Sequence, residues 1–281
     1  MLAIEHPLKR YVRPSARRTA ACPGCGNGIV AQSVLRAIEQ AGKTLDDFVF
    51  CSGIGCAAWI PSPFFYADVL HTTHGRPIAF ATGVKLALPD KKVMVISGDG
   101  DLTAIGGNHL VHAARRNIDM LVVCVNNGIY GMTGGQTAPT TPVGLRTTTS
   151  PYGNIEPAFD ICRLAQAAGA SFVARWTTYH PRQLTQTLKV ALGRRGFSLV
   201  EVISQCPVQY GRRTGAGTAV QMLQQYKANS VPARRAAGMS SEELAGKMVV
   251  GELHDEPRPE FVEQMLRVRA IALDSRQRPM G

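Results

Sequence analysis

Long apolar runs are missing from this 281-residue sequence, and charge is sparse: only 18% of its residues are Asp, Glu, Lys or Arg. No stretch approaches the ~18 consecutive apolar residues of a membrane-spanning helix, which excludes that kind of span. The N-terminus, MLAIEHPLKR, has no apolar segment behind its basic residues, so no secretory signal is read there and a cytoplasmic location is expected. Low charge beside 45% hydrophobic content excludes wholesale disorder. The length suits one large domain or two small ones with a real core. There is no internal repeat and no RRM, KH or zinc-finger spacing. Acidic residues are the scarcer sign, 20 against 31 Lys plus Arg, giving a formal net charge of +11. Such a surface suits an anionic partner (nucleic acid, a phosphorylated ligand or an acidic protein) and equally serves solubility. Part of the excess is local, with Lys9, Arg10, Arg13, Arg17 and Arg18 against the single Glu5 in the first 25 residues.

What is present alternates. Helical periodicity over 28–41, 79–88, 107–116, 156–168 and 181–193 is interleaved with short apolar runs at 48–51, 93–97, 120–125, 171–174 and 199–203. Continuous apolar strands alternating with helices predict a buried, mostly parallel sheet flanked by helices, an α/β architecture. The stretch 57–77 reads as irregular and 132–154 as a long loop of Thr, Pro and Gly. Residues 1–210 are taken as one α/β domain. Residues 211–281, polar and basic with no convincing strand, are taken as a helical or irregular extension that contacts a subunit.

Two loops at the carboxyl ends of predicted strands carry chemistry: Gly98-Asp99-Gly100-Asp101 and Asn126-Asn127. Open α/β sheets bind ligands at such ends. Twenty-five residues separate Gly100 from Asn126, one helix plus one strand, so the two loops return to the same edge. The residue types suit a hard cation carrying a diphosphate, with a carboxylate from Asp99, a side-chain carbonyl from Asn127 and a backbone carbonyl from Ile129. The helix start after Asp101 offers N–H groups to phosphate.

Seven cysteines in a cytosolic chain point to metal binding or buried thiols rather than disulfides. Cys22 and Cys25 form a C-x2-C pair, Cys51 and Cys56 flank a glycine-rich turn, and Cys206 stands beside Pro207. Cys124 and Cys162 lie in apolar surroundings that suit inert buried thiols. On spacing alone, a structural zinc and an iron–sulfur cluster are both open.

In combination, GIGCAAW, HTTHGR, GDGDLTAIGGNHLVHAARRNIDM and NNGIYGMTGGQTAPTTP resemble the β subunit of the 2-oxoacid:ferredoxin oxidoreductases, most of all the 2-oxoglutarate branch, over about residues 20–210. The resemblance implies a thiamine diphosphate-binding, diphosphate-domain fold. It makes Asp99, Asn127 and the Ile129 carbonyl ligands of Mg2+. It places Gly98, Gly100, Asp101, Gly131, Met132 and Thr133 around the diphosphate and thiazole, with Gly55, Cys56, Ala57 and His74 on the other side and Arg76 as a further neighbour. It implies one [4Fe–4S] cluster on Cys22, Cys25, Cys56 and Cys206, with Cys51 the competing fourth ligand.

The activity so implied is reversible oxidative decarboxylation of 2-oxoglutarate to succinyl-CoA and CO2, electrons passing through the cluster to ferredoxin. Pyruvate or a branched-chain 2-oxoacid is the alternative substrate, and a zinc-stabilised basic nucleic-acid-binding protein the alternative of another class. No catalytic acid or base is assigned to this chain. The Glu that contacts the aminopyrimidine is expected from an α subunit, in a heterodimer or dimer of heterodimers; the other partners are ferredoxin, the 2-oxoacid and coenzyme A, with no nucleic acid and no membrane. The chain lacks a C-x2-C-x2-C-x3-C run, so further clusters are not expected on it. His109 and His112 are read as helix-face residues, Arg115 and Arg116 as a solvated or interface face, and Trp59, Phe64, Phe65 and Tyr66 as core or subunit-contact aromatics. His71 is given no role.

Overall fold

Short apolar strands must be covered on both sides, and here two helical layers cover them. The computed structural model describes residues 6–16 and 21–277; Glu5, Arg17 and Arg18 of the early basic stretch lie outside the described residues. The order begins α1 (Asn27–Gln40), β1 (Phe48–Ser52), β2 (Val69–His71), α2 (Pro77–Ala87), β3 (Lys92–Gly98), α3 (Gly107–Arg116) and β4 (Met120–Asn126). A hairpin of β5 (Ile129–Tyr130) and β6 (Gln136–Thr137) opens the long loop before α4 (Ile161–Ala168), β7 (Phe172–Thr177), α5 (Pro181–Gly193) and β8 (Phe197–Ile203). The tail holds α6 (Arg212–Thr214), α7 (Ala219–Asn229), β9 (Ser230–Pro232), α8 (Ala233–Ala236), β10 (Met248–Asp255) and α9 (Phe261–Gln277).

Eight strands form one sheet in the order β2-β1-β3-β4-β8-β7-β10-β9. All its pairings are parallel except β10 on β7. β4 shows why its run is apolar without alternation: Leu121, Val123 and Val125 pack toward the α1 and α5 layer. Met120, Val122 and Cys124 pack toward α2, α3 and α4 on the other face. Each such side chain contributes roughly 1.5–3 kcal/mol when fully buried, so a central strand of this composition is stable only between two layers.

The mostly parallel sheet is the architecture expected from the alternation. Three local expectations are corrected. The helix read from residue 156 begins at Ile161, because the Asp160 side chain accepts from Arg163 N–H and caps it there. The stretch 57–77 contains β2, paired parallel with β1. The tail read as strandless contributes β9 and β10, whose pattern breaks at Gly251 (φ 125°) and at a register shift between Glu252 and His254.

Candidate functional site

β3 and β4 are adjacent and parallel, so their carboxyl ends deliver Gly98-Asp99-Gly100 and Asn126-Asn127 side by side. Asp99 is buried, at 2% exposure. Its Oδ2 accepts from Thr140 Oγ1, and Asn127 N–H lies 3.5 Å from its Oδ1. Burial pushes the Asp99 carboxyl up to about 6, against the opposing pull of the Thr140 hydroxyl and the Asn127, Asp99 and Gly100 backbone N–H groups. A carboxylate so desolvated is stabilised by a cation. Asn127 Oδ1 accepts from Ile129 N–H at 3.1 Å, which fixes the tight turn that brings Ile129 back to the site.

Asn126, one residue earlier, ties this loop to the core. Its Nδ2 donates to Glu201 Oε1 at 2.7 Å, its Oδ1 accepts from Gly128 N–H at 3.0 Å, and Arg175 Nε donates to Glu201 Oε2 at 2.6 Å. Glu201 is itself 1% exposed. Sequence reading gave no role to Glu201, Thr140 or Tyr130. Thr140 stands within a quoted motif, but only the folded loop brings it to Asp99.

Asp101 is a clamp. Its Oδ1 accepts from Gly75 N–H (2.7 Å) and Ile54 N–H (3.3 Å), and its Oδ2 from Ser97 Oγ (2.6 Å). Two loops and the end of β3 are thereby tied to one buried carboxylate. The approach is close enough to require glycine: a Cβ on Gly53 would stand 1.9 Å from Asp101 Oδ2, and one on Gly100 2.5 Å from the Tyr130 ring. His74 Nδ1 sits 2.8 Å from Asp101 Oδ1 but out of line for a hydrogen bond.

Gly55, Cys56, Ala57, His74, Gly98, Asp99, Gly100, Asp101, Asn127, Ile129, Gly131, Met132 and Thr133 all line one cleft, so the structure brings these sequence-nominated residues together. Arg76 does not line it; its Nη1 donates to the Ile105 carbonyl (3.4 Å) and stands 3.1 Å from His109 Nε2. The cleft encloses about 70 Å3, well short of the roughly 300–1,000 Å3 of a self-contained small-molecule pocket. Its rim exposes Ile54 and Met132.

The thiols divide. Cys56 begins the turn Cys56–Trp59, Cys206 follows β8, and Cys22 and Cys25 precede α1. A carbon placed on Gly131 would lie 3.6 Å from Cys206 Sγ and 3.8 Å from Cys56 Sγ, so both sulfurs flank one point at the cleft. Burial pushes the Cys25 thiol up to about 11, with Cys206, Cys56 and Cys22 adding to the rise. Burial also raises the Cys56 thiol, with contributions from Cys206 and Cys22. Cys22, Cys56 and Cys206 therefore all lie near Cys25.

Among the described residues no group of three or more His, Cys, Asp or Glu is close enough to hold a single metal ion. Cys51 is fully buried among Ile78 and Val95 on the α2 face, raised to about 12 by desolvation. It stands apart from the four. Cys124 and Cys162 are buried, as expected. Phe65 is core, whereas Trp59 and Tyr66 are exposed; His71 Nδ1 meets Ser52 Oγ at 3.0 Å.

The thiamine pyrophosphate enzyme, C-terminal TPP binding domain family matches residues 53–202. The chain is 53% identical over 260 residues to the 2-oxoglutarate synthase subunit KorB of Methanocaldococcus jannaschii, a match covering 92% of this chain and 96% of that protein. It is 46% identical over 259 residues to the subunit of the same name from Archaeoglobus fulgidus, covering 92% and 93%. Among solved structures it is similar to 2-oxoglutarate:ferredoxin oxidoreductase from Magnetococcus marinus with 2-oxoglutarate, coenzyme A and succinyl-CoA bound. That match has a TM-score of 0.84 and 31% identity over 96% of this chain and 91% of that one.

Proposed function

This chain belongs to the family of 2-oxoglutarate synthase KorB subunits and carries the TPP-binding domain of thiamine pyrophosphate enzymes, and from that membership we propose that it is the cofactor-bearing β subunit of a CoA-acylating 2-oxoglutarate:ferredoxin oxidoreductase. The reaction converts 2-oxoglutarate, coenzyme A and two oxidised ferredoxins into succinyl-CoA, CO2, a proton and two reduced ferredoxins. Membership replaces the reading as a zinc-stabilised nucleic-acid-binding protein.

The observation that carries the proposal is the desolvated Asp99 carboxylate, which faces the Asn127 N–H on the sheet's carboxyl rim, with the Asn127 side chain, Cys56 and Cys206 all close to Gly131. Asp99, Asn127 and the Ile129 carbonyl would hold Mg2+. Gly98, Gly100, Asp101, Gly131, Met132 and Thr133 would cradle the diphosphate and thiazole, with Gly55, Cys56, Ala57 and His74 opposite. Cys22, Cys25, Cys56 and Cys206 would hold one [4Fe–4S] cluster. Bound, the thiamine supplies the electron sink for loss of CO2, and the cluster accepts electrons singly.

The chain's own residues do the positioning. Asp99 is an anchor, kept ionised by the cation it binds. Asp101 fixes the Gly53–Ile54 and Gly75 backbones against β3 and so shapes the wall of the cleft. Glu201, through Asn126, holds the turn that presents Asn127 and Ile129. An α subunit would close the half-built cleft, exclude water and supply the Glu for the aminopyrimidine. The exposed apolar residues Leu266, Val268 and Ile271 of α9 favour residues 211–281 as part of that contact. The net charge of +11 suits an acidic ferredoxin.

Co-purified anaerobically with its partner subunit, the complex should be brown, contain iron, sulfide and thiamine diphosphate, and reduce ferredoxin only with 2-oxoglutarate and coenzyme A. The chain alone should not turn over. A colourless zinc-containing complex, or faster turnover of pyruvate or a branched-chain 2-oxoacid, overturns the corresponding part of the proposal.

A further inference from the structure

Asn27 opens α1, two residues after Cys25. Its side chain is 6% exposed and its Nδ2 has no hydrogen-bond partner. A fully buried amide donor left without an acceptor is rare in native proteins and calls for a specific explanation. The residue shares a small, half-open cleft of about 40 Å3 with Cys56. The other side chains around that cleft, Ala21, Ala31, Trp59, Ile60 and Phe64, offer no strong acceptor. Gly26, the N-cap of α1, provides no capping side chain, and the Asn27 backbone N–H already faces the Cys25 sulfur. The donor-rich start of a 14-residue helix is therefore turned toward the cysteines, with an unused amide beside it.

We propose that Asn27 is a positioning residue for electron transfer, its Nδ2–H donating to a sulfur of the iron–sulfur group held by Cys22, Cys25, Cys56 and Cys206. This rests on the reading of those four thiols as cluster ligands. Adding an electron to such a group increases its negative charge, so a fixed donor stabilises the reduced state more than the oxidised one and raises the potential. The dipole of α1 acts in the same direction. No proton is transferred and no bond is broken; the residue sets how readily the electron arrives and leaves.

The test is an EPR-monitored redox titration of the purified α/β complex carrying Asn27→Leu, a near-isosteric side chain without a donor. Asn27→Ala is read alongside it, so that a cluster lost from the bulkier variant still leaves a potential to measure. Iron and sulfide content are determined in each. The oxidised-to-reduced ratio at a fixed potential should rise about tenfold, a lowering of about 59 mV for a one-electron couple. Asn27→Gln, which keeps an amide donor, should recover at least half of that shift. A change below about twofold, about 18 mV, in variants with wild-type iron content overturns the assignment to Asn27. A wild-type complex without iron on this subunit instead overturns the cluster reading beneath it, and the two failures are thereby distinguished.

Discussion

Replacing Asp99 by Asn should stabilise the cofactor-free protein while abolishing its hold on Mg2+ and thiamine diphosphate. Burial raises this carboxyl from 3.8 to about 6. An acid whose folded pKa is raised contributes stability that is complete below its unfolded pKa and is lost as pH rises through the folded value. Here that loss runs between about pH 4 and pH 6. Above it the buried charge costs about two pKa units at 1.36 kcal/mol each, roughly 3 kcal/mol. The carboxyl is fully buried, so solvent screening does not reduce this figure appreciably. Asn avoids the charge and keeps an oxygen for the Thr140 hydroxyl, but its amide nitrogen then faces the Asn127 N–H, so roughly 3 kcal/mol is the upper bound of the gain.

At about 2 °C per kcal/mol for a chain of this size, the apo variant should melt above the apo wild type at pH 8, by up to roughly 6 °C, and the two should converge near pH 4. With Mg2+ and thiamine diphosphate added the order reverses, because only the wild type gains from ligand. Thermal melts of the EDTA-treated complex across pH, with and without cofactor, read both effects. A variant that melts below wild type at pH 8, or that binds the cofactor within tenfold of wild type, would refute the reasoning.

Three further outcomes follow from the same geometry. Cys206→Ser should strip iron from the subunit whereas Cys51→Ala should retain it, by iron and sulfide analysis; equal retention would contradict the division of the thiols. Glu201→Gln leaves Arg175 with only the half-exposed Asp160 carboxylate and weakens the grip on Asn126, costing about 1–3 kcal/mol in stability. It should also raise the Kd for Mg2+–thiamine diphosphate about tenfold, seen by calorimetric titration; unchanged affinity would place Asn127 beyond Glu201's influence. Raising NaCl from about 0.05 to 0.5 M should lower kcat/KM for ferredoxin severalfold while leaving reduction of a small viologen unchanged. Equal responses of the two acceptors would remove the basic surface from the docking step.

The parts of this molecule legible in its sequence are those whose neighbours are dictated locally. α3 and α5 fall on the residues their periodicity marks, and β3 and β4 announce themselves because strands buried on both faces have no polar alternation to obscure them. Asp99 and Asn127 are visible because ligand loops in such sheets sit at strand ends. β2 has only three residues, two of them exposed, and no local signal distinguishes it from loop. β10 hides in a charged tail, its Met-Val-Val-Gly-Glu-Leu-His-Asp pattern broken by a glycine and a bulge, and it becomes a strand only because β7 offers an edge. The same limit separates Asp99 from Thr140 and Asn126 from Glu201: these pairs are made by tertiary contact across 41 and 75 residues. Sequence could nominate the ligands; the groups that hold them in place emerge only from the fold.

Diffraction from the anaerobic α/β complex across the iron absorption edge tests the central claim most directly. The account predicts an iron-specific peak enclosed by Cys22, Cys25, Cys56 and Cys206, with diphosphate density beside Asp99 and Asn127 in the adjoining cleft. Iron found elsewhere, or four reduced thiols around an iron-free space, would contradict it.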